Sequence, residues 1–287
     1  MPTRNALTDI FNTLFSRRMS QIGGVIVLIF IALMLIGPYI IPYSPYATSS
    51  SVNSPPSSKH IFGTNYLGQD IFSQLVVGAY PSMGVGVEAA SGAVLLGLLI
   101  GILGGYYRRL EALMAVLTNA MLTFPPLPLM VLLGSLFPVN NTLIALIMMV
   151  VLWPVVARSI YSQVLVIKGL PYVDVMKLSG LKNRSIIMRI IVPEVAPIAI
   201  AYFVLTVATG IVLVSALQFL GVGNPDLISW GSMLYWAQQF AFYYGDWWWI
   251  LAPGLSISLV ATGFALIGFS LEEVANPRLR VVNVQTA

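Results

Sequence analysis

From residue 112 to residue 157 the chain runs for 46 positions without one charged side chain. No water-facing domain can be built from such a stretch, and a single membrane-crossing helix uses only ~20 mainly apolar residues. The stretch therefore holds two crossings, with the turn between them at Phe137-Pro138-Val139-Asn140-Asn141, where proline and paired asparagines favour a reversal. The same reading along the chain gives further crossings at 22–42, 89–107, 195–225 and 247–271. The expected fold is an all-α integral membrane protein of about six transmembrane helices. Only 8% of residues are charged and 58% are hydrophobic, where a soluble domain carries roughly 25% charged residues.

Basic residues set the expected orientation. With the N-terminus inside, 13 of the 14 Lys and Arg side chains fall on the inner side or at its edge, and only Lys59 falls outside. Such an excess marks cytoplasmic loops, so both termini are expected in the cytoplasm and the net charge of +4 needs no nucleic-acid partner. The first apolar run, 22–42, exceeds the 7–15 residues of a cleaved signal core and reads as a retained anchor. Tyr243, Tyr244 and Trp247 to Trp249 read as an aromatic anchor at the outer interface.

The chain lacks cysteine, which removes disulfides, iron–sulfur ligation and thiol catalysis. Its single histidine, His60, has no second His or Cys to share a metal with and is expected as a solvated loop residue. No metal or other cofactor is expected on this chain.

Within the crossings, Gly97, Gly101 and Gly105 recur every four residues and present one smooth ridge to a neighbouring helix. Phe124-Pro125-Pro126, with Pro128 close behind, predicts a kinked or unwound third crossing, which either lines a pathway or is a plain structural bend. Glu88 is the one acid expected inside a crossing, near the outer headgroups if that helix begins near Ser82. Phe124, Pro125 and Glu88 are the candidate pathway residues. Residues 70–80 carry Ile71, Phe72, Leu75, Val76 and Ala79 at helical spacing, which predicts a separate amphipathic helix lying in the outer interface.

The longest inner loop, 162–192, contains a complete short helix at 170–180. Pro171 suits the first helical position, Asp174 complements the helix dipole, Lys177 lies within pairing reach, and Gly180 supplies a left-handed stop. Tyr172, Val173, Val175, Met176 and Ser179 are expected on its surface, facing either a soluble partner's groove or the lipid interface. A second helical stretch, 185–192, follows, and Pro193 is expected to open the fifth crossing.

Asp174-Val175-Met176, Gly180 and Pro193 stand where the permease subunits of binding-protein-dependent ABC importers carry Glu-Ala-Ala, Gly and Pro, so this loop resembles that family in its dipeptide, oligopeptide and nickel subgroup. The stretch 62–70, with Gly63, Thr64, Gly68 and Asp70, is similar to the subgroup's outer-loop motif, although Asn65 and Gln69 replace a charged pair. Gly104 to Tyr107, Thr123 to Pro125, Phe219 to Gly223, Ser229 to Gly231 and Asn276 to Arg280 resemble the subgroup at the expected places.

The resemblance implies a type I ABC importer permease fold in the cell membrane. Residues 1–81 would form an N-terminal anchor helix and extracellular loop, and 82–287 a core of five crossings. It implies a second homologous permease, two ABC ATPase subunits and an extracellular solute-binding protein as partners. Pro171, Tyr172, Asp174, Val175, Met176, Gly180 and Pro193 would couple to the ATPases, which hold ATP and magnesium. This chain has no phosphate-binding loop and is not expected to be an enzyme. The implied solute is a di- or oligopeptide, with an oligosaccharide or nickel as alternatives. The rival is a stand-alone ion-coupled carrier, which would place ionisable groups near the bilayer centre.

Overall fold

The computed structural model describes residues 16–137 and 140–275. Pro138 and Val139 of the expected turn, Arg4, and the 276–280 motif lie outside the described residues. The helices are α1 (Arg18–Ile40), α2 (Ile71–Tyr106), α3 (Arg108–Thr123), α4 (Pro126–Ser135), α5 (Asn141–Lys168), α6 (Pro171–Leu178), α7 (Asn183–Phe219), α8 (Trp230–Tyr244) and α9 (Trp247–Ala275). Helices α1, α2, α5, α7 and α9 are each long and apolar enough to cross a membrane. Helices α3 and α4 are together long and apolar enough for a sixth span, but as a pair bent by 85°. At the bend Phe124 and Pro125 are both extended. Consecutive prolines remove two backbone donors and push the preceding residue out of the helical region.

Glycines bring the spans together. A Cβ on Gly97 would lie 2.6 Å from Val156 Cβ, one on Gly101 2.7 Å from the Ala157 carbonyl, and one on Gly105 2.8 Å from Val164 Cβ, so this ridge of α2 lies directly on α5. Gly86 brings α2 against Ile211 of α7, and Gly23 brings α1 against the Gly263 carbonyl of α9. One end of the bundle gathers Arg17, Arg108, Lys168 and α6, and is called the basic end. The other gathers Tyr66, Trp236 and Trp247 to Trp249, and is called the aromatic end.

Three expectations change. The segment 70–80 is not a separate interfacial helix but the first turns of α2, with Ile71, Val76 and Ala79 fully buried against the rest of the fold. Asp70 caps it, and Pro81 lies inside the helix without ending it, so a division at 81/82 falls within α2. Glu88 is consequently seventeen residues into the helix, ~26 Å from its start. Second, Pro193 does not open a crossing. Helix α7 begins ten residues earlier, and Ile187–Ile191 wind as a π turn in which the Val192 N–H bonds the Ile187 carbonyl five residues back. The chain therefore enters Pro193 already helical. Third, α8 was not anticipated. Ser229 and Ser232 form a reciprocal capping box, Gly245 at φ 78° ends the helix, and Trp230 is fully buried with its indole N–H donating to the Leu75 carbonyl at 2.9 Å.

The aromatic cluster is also divided. Tyr243, Tyr244 and Trp247 are exposed as an interfacial anchor requires, but Trp249 is buried and its ring stacks with Tyr66 at 5.7 Å.

Two predictions follow from this packing. Gly101→Ala places a methyl against a backbone carbonyl and should destabilise the fold by about 1–3 kcal/mol, whereas Gly84→Ala, with open space around it, should be neutral. Thermal unfolding in detergent separates the two. Asp246, in the turn before α9, is buried, its Oδ2 lacks a partner among the described residues, and burial raises its pKa above 3.8. The fold holds its proton to higher pH than the unfolded chain does, so stability falls as pH rises from about 4 through the raised value. Asp246→Asn should remove that dependence, raising the melting temperature at pH 7.5 with little change near pH 4.

Candidate functional site

At the basic end α6 forms a knob between α5 and α7. Pro171 opens it, Asp174 and Lys177 pair at 2.9 Å, and Gly180 takes φ 79°. The stop is a full Schellman motif: Gly180 N–H bonds the Lys177 carbonyl at 3.0 Å and Leu181 N–H bonds the Met176 carbonyl at 3.2 Å. The sequence reading of this helix holds in each of these details.

The knob is seated by Val173, which is fully buried in a cluster with Tyr106, Val164, Ile167 and Ile186. Val173 and Met176 were expected on the partner-facing surface, but Val173 anchors the helix and Met176 is partly buried against the same cluster. Around it, Lys168 Nζ donates to the Tyr106 carbonyl at 2.7 Å and the Gly105 carbonyl at 3.3 Å, covering unpaired acceptors at the end of α2. Tyr106 Oη donates to Asn183 Oδ1 at 2.9 Å, tying α2 to the start of α7. Burial, and then the charge of Glu194 on α7, raise the pKa of Tyr172. The knob is thus connected to α2, α5 and α7 together.

The opposite face of the knob is apolar and uncovered. Tyr172, Val175 and Leu178 recur every three residues and are 41%, 61% and 88% exposed, and Leu181 and Met188, farther along the loop, are exposed as well. Leu178, Leu181 and Met188 were missed as surface residues. The i, i+3 spacing from Tyr172 through Val175 would have revealed Leu178.

At the aromatic end the 62–70 motif is a tightly hydrogen-bonded loop. Thr64 bridges to Asp70, and Thr64 Oγ1 accepts from Ser54 N–H at 2.9 Å and donates to the Ser51 carbonyl. Gly63 and Gly68 hold φ of 73° and 72°, and a side chain at Gly63 would meet the Ser54 carbonyl at 2.5 Å. Asp70 Oδ2 accepts from the Ser73 N–H and hydroxyl, while Oδ1 lies 2.9 Å from His60 Nδ1. His60 is therefore not a solvated loop residue. It is mostly buried between Asp70 and the Tyr43 ring, 4.8 Å away. Asn65 and Gln69, which replace a charged pair, bond each other at 2.9 Å and so keep the contact without charge. These residues cap α2 and close the loop on it.

The candidate pathway residues do not converge on either region. Phe124 is exposed at the 85° bend beside Pro125, and Glu88 is exposed midway along α2 with no side-chain partner among the described residues. Nearer the basic end, Thr118 and Asn119 of α3 and Arg158 and Ser162 of α5 line a cleft of about 310 Å³. Among the described residues no group of three or more His, Cys, Asp or Glu side chains could hold a metal.

Comparison with known proteins places these features. Residues 93–281, more than half of the chain, match the family described as the binding-protein-dependent transport system inner membrane component. Residues 6–56 match the N-terminal transmembrane domain of oligopeptide transport permease C. The chain is 33% identical to the dipeptide transport system permease protein DppC of Alkalihalophilus pseudofirmus, over 95% of this chain and 90% of that protein. It is 32% identical to DppC of Bacillus subtilis over 97% and 88%, and 31% identical to the oligopeptide transport system permease protein OppC of the same organism over 92% and 87%. A bundle of apolar spans with an exposed, glycine-ended knob between α5 and α7, in a sequence related to these proteins along nearly its whole length, belongs to the family of inner-membrane components of binding-protein-dependent transport systems.

Proposed function

We propose that this chain is one half of the membrane pore of an ABC importer for di- or oligopeptides. A second permease completes the pore, an extracellular binding protein delivers the solute, and two cytoplasmic ATPases hold and hydrolyse ATP. In this reading the basic end and both termini face the cytoplasm, which the excess of Lys and Arg there supports. The names of the relatives support peptides as the solute class.

The observation that carries the proposal is the knob. Its apolar face of Tyr172, Val175 and Leu178 is open, while its other face is fixed by Val173 to three spans. An amphipathic helix of this kind suits a groove in a soluble partner. Closure of the ATPase pair displaces α6. Pro171, Asp174 and Gly180 keep it rigid during the displacement. The short Gly180 turn passes the motion to α7, whose π turn and Pro193 transmit it into the membrane. Lys168 and Tyr106 pass it to α5 and α2. Gly63, Thr64, Gly68 and Asp70 brace the outer end of α2, which therefore tilts as one body. Glu88, Phe124 and Pro125 face the pathway, because an unpaired acid midway along a span is costly against lipid.

Glu88 taken alone would also suit an ion-coupled carrier. The knob decides against that rival, since a carrier working alone has no use for an exposed docking helix.

The absence of native cysteine makes a crosslinking test clean. Val175→Cys and Leu178→Cys, on the open face, should each crosslink to an ATPase subunit in the assembled transporter, and Val173→Cys should not. A set in which none reaches the ATPase refutes the docking. Glu88→Gln should leave assembly and basal ATP hydrolysis intact while lowering dipeptide uptake at least fivefold. Unchanged uptake would remove Glu88 from the pathway.

A further inference from the structure

A cavity of about 290 Å³ opens at the aromatic end between the 41–70 connection, the 220–229 connection and α8. Its walls carry the rings of Tyr46, Tyr66, Trp236 and Trp249, the amide of Gln74, and Asp226. The wall is rigid. The Tyr66 ring stacks with Phe240 at 4.1 Å and Trp249 at 5.7 Å, and the Trp236 indole donates to the Pro225 carbonyl at 3.1 Å, which pins the loop bearing Asp226. Gln74 is nearly buried. Its Nε2 donates to the Pro45 carbonyl at 3.1 Å and to Gln69 Oε1 at 2.8 Å, while its own Oε1 receives no donor among the described residues.

The charge on this wall is one-sided. Among the described residues no Lys, Arg or His lines the cavity, and Asp226 is its only carboxylate. Asp226 is exposed and has no ion pair among the described residues, in a chain of net charge +4. Its backbone N–H is held by Asn224 Oδ1 at 3.0 Å, which leaves the carboxylate outside the internal bonding of the loop. A lone carboxylate, an amide oxygen and the faces of aromatic rings all favour a compact cation that can shed part of its water. The volume lies at the low end of ligand pockets and suits one residue-sized group rather than a whole peptide.

We infer that this cavity is a subsite for a primary ammonium group, held between Asp226, Gln74 Oε1 and the Tyr66 and Trp236 rings. The inference rests on the importer reading above. Two sources present such a group at this end: the amino terminus of the arriving solute, and a lysine side chain of the delivering protein.

The test uses the complete permease–ATPase complex in nanodiscs. Trp236 and Trp249 in the wall report occupancy by fluorescence. In the first arm, without binding protein, dialanine should change the emission saturably. N-acetyl-dialanine on the wild type, and dialanine on Asp226→Asn, should each bind at least tenfold more weakly, and Asp226→Glu should recover most of the loss. In the second arm, docking of the binding protein is measured before and after acetylation of its lysines. If dialanine is silent, Asp226→Asn should weaken docking at least tenfold, and acetylation should abolish the difference between wild type and variant. Either pattern supports an ammonium site and names its source. If Asp226→Asn changes neither dialanine binding nor docking, in complexes with normal assembly and basal ATP hydrolysis, the subsite does not exist. ATP-driven peptide uptake by the wild-type complex is scored separately, so failure of the peptide reading is seen independently of either arm.

Discussion

The close contact between α2 and α5 sets the geometry of the rest. Lipid tails are as apolar as leucine, so helices in a bilayer gain little from hiding apolar surface on one another and depend on fit. Gly97, Gly101 and Gly105 supply that fit by letting Val156, Ile160 and Val164 sit on bare α2 backbone. Because the helices touch, Lys168 can reach the final carbonyls of α2, and the Tyr106 side chain can reach Asn183. Those two links build the socket that holds Val173. The contact that joins two spans therefore also fixes the knob.

Proline shows how strongly surroundings decide the outcome of one residue. Pro38, Pro81, Pro154, Pro197 and Pro253 each lie inside a helix that continues past them. A single proline removes one backbone bond, and neighbouring groups and small adjustments can absorb that loss. At Pro125-Pro126 two donors vanish in succession, and Phe124 is excluded from helical geometry by the ring that follows, so the helix breaks. At Pro193 the preceding turn has already widened to five-residue bonding, and the helix passes through. A wide turn followed by proline leaves α7 with fewer regular bonds where it meets the knob. That is a physical reason for this segment to bend in preference to the glycine-packed spans.

The sequence carried what is local and repetitive. Charge-free runs located the spans, and Pro171, Asp174, Lys177 and Gly180 specified α6 through capping chemistry that needs no distant partner. It did not carry what depends on contacts far along the chain. His60 looked isolated because Asp70 and Tyr43 approach it only after the loop folds back. Val173 and Val175 are indistinguishable by composition, and the packing of α2, α5 and α7 decides which is buried. Helix α8 had a local signal in Ser229, Ser232 and Gly245, with Trp230, Met233, Ala237 and Ala241 on one stripe. Its modest apolarity hid it from a reading tuned to spans. The start of α2 was misplaced because Pro81 resembles a helix opening, whereas the opening signal is Asp70 followed by Ser73.

The two ends of the bundle are finished in opposite ways, and the contrast bears on how a pore half moves. At the aromatic end the loop and α8 are fastened by side-chain bonds among Asn65, Gln69 and Gln74, by Ser229 to Gln218 at 2.8 Å, and by the Trp230 N–H to Ser82 at 2.9 Å. Such a network has one low-energy arrangement and resists deformation. At the basic end three polar links surround a single valine in a socket, and the outward surface is bare Tyr, Val and Leu. Apolar contact is non-directional, so a partner seated on that surface can push or tilt it without breaking a fixed bond. A stiff aromatic end and a compliant, open basic end together favour rigid-body tilting of the spans over their unwinding. That is the form of motion expected where one side of a pore must close as the other opens.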